Sequence, residues 1–306
     1  MKVVGSITTI PGRYPKLLRT LKSLKDQDRS LDAIYLGIPK ESKRLKQSYP
    51  ELPVEIAELC TVVPCDYDYG PCTKIVGALL QEDDPSTIII TFDDDVIYAP
   101  DLVSTLLEYH EKYPEASIGS SGFLLRYSFP FYSTITNSDN NWNRLTGFDL
   151  PETGRSVDSL CGFSGVLYMR KFFPPKNQLH NEFLKYPLMD SDVYFNDDIM
   201  ISAYLSGKDI DRRIFPSIPS PGRCSDSIND TDGNEISFDK LAFLRRFRRS
   251  IDKVKEWGFF KQTETVTLAE TAGGRLVIVT ITIIILILLV LLMLLTPFRS
   301  PKLLYM

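Results

Sequence analysis

Three consecutive aspartates, Asp93, Asp94 and Asp95, are the residues of this sequence whose types and spacing point most directly to chemistry. They follow residues 87–92, a β-branched and apolar run that is typical of a strand buried on both faces. Adjacent carboxylates repel one another, but a hard cation makes them tolerable at the carboxyl end of a parallel strand. Mg²⁺ or Mn²⁺ held by one or two carboxylates completes its shell with water and phosphates, so the triplet predicts a metal-bound diphosphate. The alternative is a solvated acidic turn.

A second acidic cluster, Asn196-Asp197-Asp198, precedes an apolar helical run. Aspartate is favoured at the start of a helix, because it caps backbone N–H groups and interacts well with the helix dipole. A carboxylate pair at such a place also suits a general base that acts on a substrate beside the metal. The residues alone leave both interpretations open.

Weaker signals lie in the loop 8–13, which contains Thr8, Thr9 and Arg13, and at Lys74 after Gly70-Pro71. These groups could contact phosphate or a nucleoside. An ordinary turn and a surface lysine explain them without any function, and on the residues alone we prefer that explanation.

Other kinds of site are not indicated. The five cysteines are odd in number and contain no CxxC pair, so neither a disulfide framework nor a zinc finger is predicted. His110 and His180 are too isolated to suggest a triad or a zinc site. Residues 162–165 are not a GxSxG nucleophile elbow; their glycines let a backbone approach a ligand closely, or only mark a turn.

Strands that alternate with helices must position these groups. Residues 2–7, 33–38, part of 54–63 and 87–92 are predicted strands, and helices are predicted after the first of them, from Gly70 and from Pro100, and over 197–205. This alternation predicts an α/β fold with a mostly parallel sheet covered on both faces.

Charge is distributed unevenly along the chain. The net charge is −4, a poor electrostatic footprint for a nucleic-acid binder, so no nucleic-acid partner is expected. Residues 240–261 nevertheless hold eight Lys or Arg against two acids, with apolar residues at spacings of three and four. This pattern predicts a basic amphipathic helix, whose apolar stripe packs on the globular domain or lies on an anionic leaflet.

Residues 276–295 contain no charge and are long enough to span a bilayer as a helix. A buried core helix is the alternative. With 1–239 as the globular domain, 262–275 as a linker and 296–306 as a short tail, the sequence predicts a tail-anchored membrane protein. The start of the chain does not resemble a signal peptide, so we expect the globular domain in the cytosol.

Taken in order, the motifs resemble those of GT-A glycosyltransferases, and more closely the family 2-like enzymes of bacteria and large algal viruses. The resemblance covers approximately residues 1–216 and rests on TTIPGR, GPCTK, DDDVIYAPDL, GFSGVLYMRKFF and NDDIMISAYL. It implies a Rossmann-like GT-A domain and a donor that is a nucleoside-diphosphate sugar, with UDP as the expected nucleotide. The implied acceptor is a glycan or glycoprotein.

The resemblance also implies roles for individual residues. It places Asp95 on Mn²⁺ or Mg²⁺ and puts Asp93 and Asp94 near the ribose and the metal. The nucleotide pocket would be lined by Thr8, Thr9, Arg13 and Lys74. The base of an inverting reaction would be Asp198, with Asp197 as its neighbour. This chain has Asn196-Asp197-Asp198 where the family has Glu-Asp, so the choice between the two aspartates stays open.

Two other functions remain in view. The segment from Asp93 to Val96 also fits a haloacid-dehalogenase-type phosphatase, with Asp93 as nucleophile and Asp95 as acid/base. That motif normally ends the first strand, and no later GDxxxD appears. A membrane-tethered glycan- or nucleotide-binding protein without turnover is the non-enzymatic alternative.

Overall fold

The computed structural model describes residues 1–125, 142–145, 151–219 and 240–260, all of which belong to one compact unit. The predicted linker, membrane span and tail lie outside the described residues, as does most of the loop after Phe215. Within the described ranges, no helix is long and apolar enough to cross a membrane.

A large sheet forms the centre of the described part of the chain. Its strands are β1 (Val3–Thr8), β2 (Ala33–Pro39), β5 (Thr61–Cys65), β6 (Ile88–Phe92), β7 (Ala116–Gly119), β10 (Arg155–Ser156), β12 (Val166–Met169) and β13 (Asp211–Ile214). Their order is β10-β13-β7-β12-β6-β1-β2-β5. The half from β6 to β5 is parallel throughout, whereas β12 runs antiparallel to both β6 and β7. The predicted α/β class with a mostly parallel sheet is confirmed, and β12 and the edge strand β10 run antiparallel to their neighbours.

Smaller strands and the helices complete the fold. A hairpin joins β3 (Glu41–Ser42) to β4 (Gln47–Ser48), and a second sheet contains β8 (Gly122–Leu125), β9 (Trp142–Leu145) and β11 (Ser159–Leu160). The helices are α1 (Tyr14–Lys25), α2 (Val54–Ala57), α3 (Thr73–Gln81), α4 (Leu102–Lys112), α5 (Lys176–Leu179), α6 (Tyr186–Met189), α7 (Ser191–Tyr194), α8 (Asp197–Gly207) and α9 (Lys240–Glu256).

The strand predicted within 54–63 lies at the end of that range. It begins at Thr61 and continues to Cys65, whereas Val54–Ala57 forms the short helix α2. The extended backbone of Pro53 directly precedes α2, and Ile56 is the buried residue of this turn. A short apolar run fits a helical turn as well as a strand, so its periodicity could not separate the two.

Close packing places α3 on the sheet. A Cβ on Gly37 of β2 would lie 2.9 Å from the backbone oxygen of Thr73, and one on Gly77 would lie 3.2 Å from the backbone nitrogen of Gly37. Glycine at both positions therefore lets α3 approach β2 more closely than side chains would permit. This approach fixes the start of α3, and with it Lys74, beside the carboxyl edge of the sheet.

The basic helix α9 packs on the globular domain. Phe247, Ile251 and Val254 are buried against it, which places the apolar stripe on the protein. These three residues of the stripe therefore pack on the protein rather than on a leaflet. Ser250 is buried too, and its Oγ accepts a hydrogen bond of 2.7 Å from Asn196 Nδ2, directly before α8.

Candidate active site

A cleft at the carboxyl edge of the sheet brings most of the predicted site residues together. Because β1 and β6 are parallel neighbours, the loops that follow them meet at the same edge. The first residues of α3 and α8 complete the lining. The predicted residues that line the cleft are Thr8, Thr9, Arg13, Lys74, Asp93, Asp94, Asp95 and Asp197.

The middle aspartate of the triplet is held by protein groups. Asp94 accepts hydrogen bonds from Thr9 Oγ1 at 2.6 Å and from Arg13 Nη1 at 2.9 Å. Its side chain is 9% exposed, whereas those of Asp93 and Asp95 are 28% and 34% exposed. The two outer carboxylates are therefore the ones open to a ligand.

The ionised form of Asp95 is destabilised by its surroundings. Burial and the charges of Asp94 and Asp93 raise its pKa to about 6, although Arg13 Nη1 lies 3.3 Å from its Oδ2. Arg13 contacts both Asp94 and Asp95, so its single positive charge does not neutralise the two carboxylates. A bound cation would relieve the remaining repulsion.

Lys74 joins the two acidic clusters. Its Nζ pairs with Asp93 Oδ1 and lies 2.8 Å from Asp197 Oδ2, and its side chain is only 5% exposed. Burial alone would lower the pKa of Lys74, but the charges of Asp197, Asp93 and Asp198 outweigh it and raise the pKa well above its usual value. Lys74 is thus a buried, protonated bridge rather than a surface lysine.

The two aspartates of α8 differ in orientation. Asp197 lines the cleft, whereas the half-buried Asp198 accepts a hydrogen bond of 2.8 Å from the backbone N–H of Gly162. Burial and the charge of Asp197 raise the pKa of Asp198. Asn196 occupies the cap position and makes no side-chain capping bond, so capping does not account for the pair.

Gly162 gives the turn after β11 its close approach to these acids. A Cβ at this position would lie 2.7 Å from Asp198 Oδ1 and 3.1 Å from Lys74 Nζ. The backbone of Gly162 therefore reaches the acidic pair only because the residue lacks a side chain. Tyr98 joins the same turn to the triplet, since its hydroxyl donates to Phe163 O at 3.1 Å and accepts from the backbone N–H of Asp93 at 2.8 Å.

The cleft has further lining residues that no sequence motif marks. Asp68 is buried and accepts hydrogen bonds from the backbone N–H groups of Lys43 and Gly70 and from the hydroxyl of Tyr194, at 2.7, 2.8 and 2.7 Å. It fixes the β3–β4 hairpin and the start of α3 to α7. Arg44, Tyr49 and Phe195 also line the cleft. These residues are separated in sequence and form no motif, so no local signal marked them.

The charges of the lining suit a divalent cation. Five aspartates line the cleft, including Asp68, against three cations, Arg13, Arg44 and Lys74. The described residues contain no group of three or more His, Cys, Asp or Glu side chains arranged to hold a metal ion. Mg²⁺ is typically held by one or two carboxylates together with substrate phosphates, and the open carboxylates of Asp93 and Asp95 fit that mode.

Comparisons with known proteins add little. The chain matches no protein-family model and no curated protein. Among solved structures it is similar to GalNAc-T7 crystallised with UDP, GalNAc and Mn²⁺, at 13% identity and a TM-score of 0.47, over 71% of this chain. The similarity covers 42% of that chain, less than half of its length. A similarity this distant carries no information on the ligands or activity of the present chain.

Proposed function

We propose that this chain is a metal-dependent glycosyltransferase of GT-A type that transfers a sugar from a nucleoside diphosphate, UDP by expectation, to a glycan hydroxyl. One observation carries the proposal: two carboxylates that are open to a ligand, Asp93 and Asp95, share a cleft with a second acidic group, Asp197. This arrangement offers a metal and diphosphate site and a proton acceptor in one place. The order of the sequence motifs agrees with it.

The metal would be held by Asp95 and Asp93. When bound, Mn²⁺ or Mg²⁺ would supply positive charge to the departing diphosphate. Asp94 has a different role in this proposal: through Thr9 and Arg13 it holds the loop after β1 against the triplet. The hydroxyl of Thr8 donates to Gly37 O at 2.8 Å, so it ties this loop to β2 at the nucleotide side of the cleft.

A carboxylate of the α8 pair would accept the proton of the acceptor hydroxyl. The hydroxyl oxygen then forms the bond to the anomeric carbon as the bond to the diphosphate breaks, and the configuration inverts. The sequence motif favours Asp198 as the base. The geometry favours Asp197, because it lines the cleft and a base must reach the proton that it removes.

The test is product analysis with the full-length chain in detergent. The protein is incubated with a panel of UDP-sugars and glycan acceptors in Mn²⁺, and UDP, inorganic phosphate and the glycoside product are measured separately. We expect UDP and glycoside in equal amounts, and neither from an Asp95→Ala control. Release of inorganic phosphate would instead identify a phosphatase, and binding of UDP without product would identify a binding protein.

We also propose that residues 276–295 hold the chain in a membrane with the catalytic unit on the cytosolic side. Support comes from their uncharged sequence and from the placement of the described site residues before Pro216. The full chain should stay in the membrane pellet after a high-salt wash, since screening releases an electrostatic attachment but not a spanning helix. Extraction by salt would contradict the span. Protection of the catalytic unit from protease in sealed vesicles would contradict its orientation.

A further inference from the structure

Arg44 differs from the other cations of the cleft. It lies on the β3–β4 hairpin, is exposed, and forms no hydrogen bond or ion pair with any residue that the structure describes. Arg13 and Lys74, in contrast, are paired with aspartates of the two acidic clusters. Arg44 thus brings to the cleft a positive charge that no described carboxylate contacts directly.

A second arginine approaches the same cleft from α9. The guanidinium carbon of Arg246 lies 4.3 Å from the centroid of the Phe195 ring, and Phe195 lines the cleft. Its contact with Asp192 is long, 4.0 Å, because Asp192 already accepts hydrogen bonds of 2.5 and 2.9 Å from Arg249. Arg246 therefore lacks a close counter-ion as well, and its stacking on Phe195 holds the guanidinium in place.

Phe195 connects the two arginines: its ring lines the same cleft as Arg44 and carries the guanidinium of Arg246. Desolvation, followed by the charges of Arg13 and Arg246, lowers the pKa of Arg44, whereas Asp94 and Tyr194 raise it. Arg44 is thus influenced by groups on both walls: Asp94 after β6, and Tyr194 and Arg246 on α7 and α9. Two arginines without close counter-ions, one lining an otherwise acidic cleft and the other stacked on a ring of its lining, offer a site for an anion.

We propose that Arg44 and Arg246 bind an oxyanion, a carboxylate or a phosphate, carried by the acceptor. This rests on the proposed function in one respect: the acceptor hydroxyl has to reach the α8 acids. Phe195, on which Arg246 stacks, lines the cleft together with Asp197 and Arg44, so an acceptor bound beside Asp197 has both arginines near it in this proposal. The enzyme is therefore selective for acidic acceptors.

The test compares three sugars that differ in charge. Binding of methyl β-D-glucuronide, glucose 6-phosphate and neutral methyl β-D-glucoside is measured by calorimetry on the full-length protein saturated with UDP and Mn²⁺. We expect at least one anionic sugar to bind about tenfold or more tightly than the neutral one, as loss of a charged hydrogen bond implies. Whether carboxylate or phosphate binds more tightly identifies the source of the anion.

Variants assign the effect to the two arginines. Arg44→Gln and Arg246→Gln should each remove most of the preference for the anionic sugar, and Arg44→Lys should keep part of it. Arg248→Gln is the matched control, because Arg248 is exposed on the same helix and makes no hydrogen bond or ion pair with described residues. Thermal unfolding of Arg44→Gln should match that of the parent.

Several results would contradict the anion site, and one would separate it from the proposed function. Equal binding of neutral and anionic sugars, no binding of any anionic sugar, or an equal loss in Arg248→Gln would overturn the proposal. Weaker UDP binding in Arg44→Gln would also overturn it, since Arg44 would then hold the donor. If UDP fails to bind the parent while Arg44-dependent anion binding persists, the proposed function fails and the anion site stands.

Discussion

The two acidic clusters of the cleft are built in opposite ways. In the turn after β6 the protein buries the middle carboxylate, Asp94, whereas Asp93 and Asp95 stay partly exposed although each has a cationic partner. At the start of α8 both carboxylates have protein partners, Lys74 for Asp197 and the backbone of Gly162 for Asp198. The first arrangement suits binding of an added cation. The second suits a carboxylate whose position and proton affinity are set by the protein itself.

Replacing either acid of α8 gives the largest effect that the comparison predicts. Asp197→Asn and Asp198→Asn should both retain Mn²⁺-dependent UDP binding, and the variant that removes the base should lose about 10²–10⁴-fold in transfer rate. An amide has the same shape but cannot accept the proton. Single-turnover product formation with saturating donor measures this. Equal turnover in both variants and the parent would show that neither aspartate is the base.

Removing the cation between the clusters tests how far they depend on each other. Lys74→Met leaves Asp93 and Asp197 without their shared partner in a buried setting, so the free energy of unfolding should fall by about 3–5 kcal/mol. The control is Lys176→Met, which breaks the exposed ion pair with Asp83 and should cost about 1 kcal/mol or less. Denaturant unfolding compares the two. Similar small losses would mean that the buried bridge is not structural.

Within the triplet, replacing the middle aspartate should lower stability, whereas replacing Asp95 should abolish metal-dependent UDP binding. Asp94→Asn weakens charged hydrogen bonds from Thr9 and Arg13 and should cost about 1.5–3 kcal/mol of stability. Asp95→Asn relieves repulsion, so it should leave stability unchanged or higher while abolishing Mn²⁺-dependent UDP binding. Unfolding curves and calorimetry with UDP, with and without Mn²⁺, measure the two properties. Unchanged UDP affinity in Asp95→Asn would remove this residue from the metal site.

A further prediction concerns the dependence of stability on pH. Because the pKa of Asp198 is raised in the folded protein, the native state binds more protons than the unfolded state at pH values above the ordinary aspartate range. Stability contributed by this group therefore falls as pH rises through that window. Asp198→Asn should flatten the decline in unfolding free energy between pH 5 and pH 9, whereas Asp84→Asn, in an exposed turn, should not. An unchanged slope in Asp198→Asn would contradict the raised pKa.

Those parts of the site that follow directly from a local pattern could be predicted from the sequence. The strand before Asp93 and the helix from Asp197 carry short-range signals, and the loop through Thr9 and Arg13 was indicated only by the family resemblance; the structure places all three at one cleft. The sequence could not reveal that Lys74 is buried between two acids, because burial there results from the contact of α3 with β2.

Long-range contacts explain the residues that were missed. Asp68 meets Tyr194 across 126 positions of the chain, and Tyr49 donates to the backbone oxygen of Thr9 across 40. The hairpin that carries Arg44 has strands of two residues each, too short to show the alternation of apolar and polar residues that predicts a strand. Such contacts depend on the completed fold and leave no repeating pattern in the sequence.

The hydrogen bond between Ser250 and Asn196 has a practical consequence for anyone who designs shorter forms of this protein. Ending the chain before Lys240 would strip Phe247, Ile251 and Val254 from the core and leave the amide of Asn196 without its partner on α9, next to the acidic pair of α8. Ending it after Phe260 would keep this support intact. Expression trials that compare the two end points should yield an aggregation-prone fragment in the first case and a folded, soluble fragment in the second.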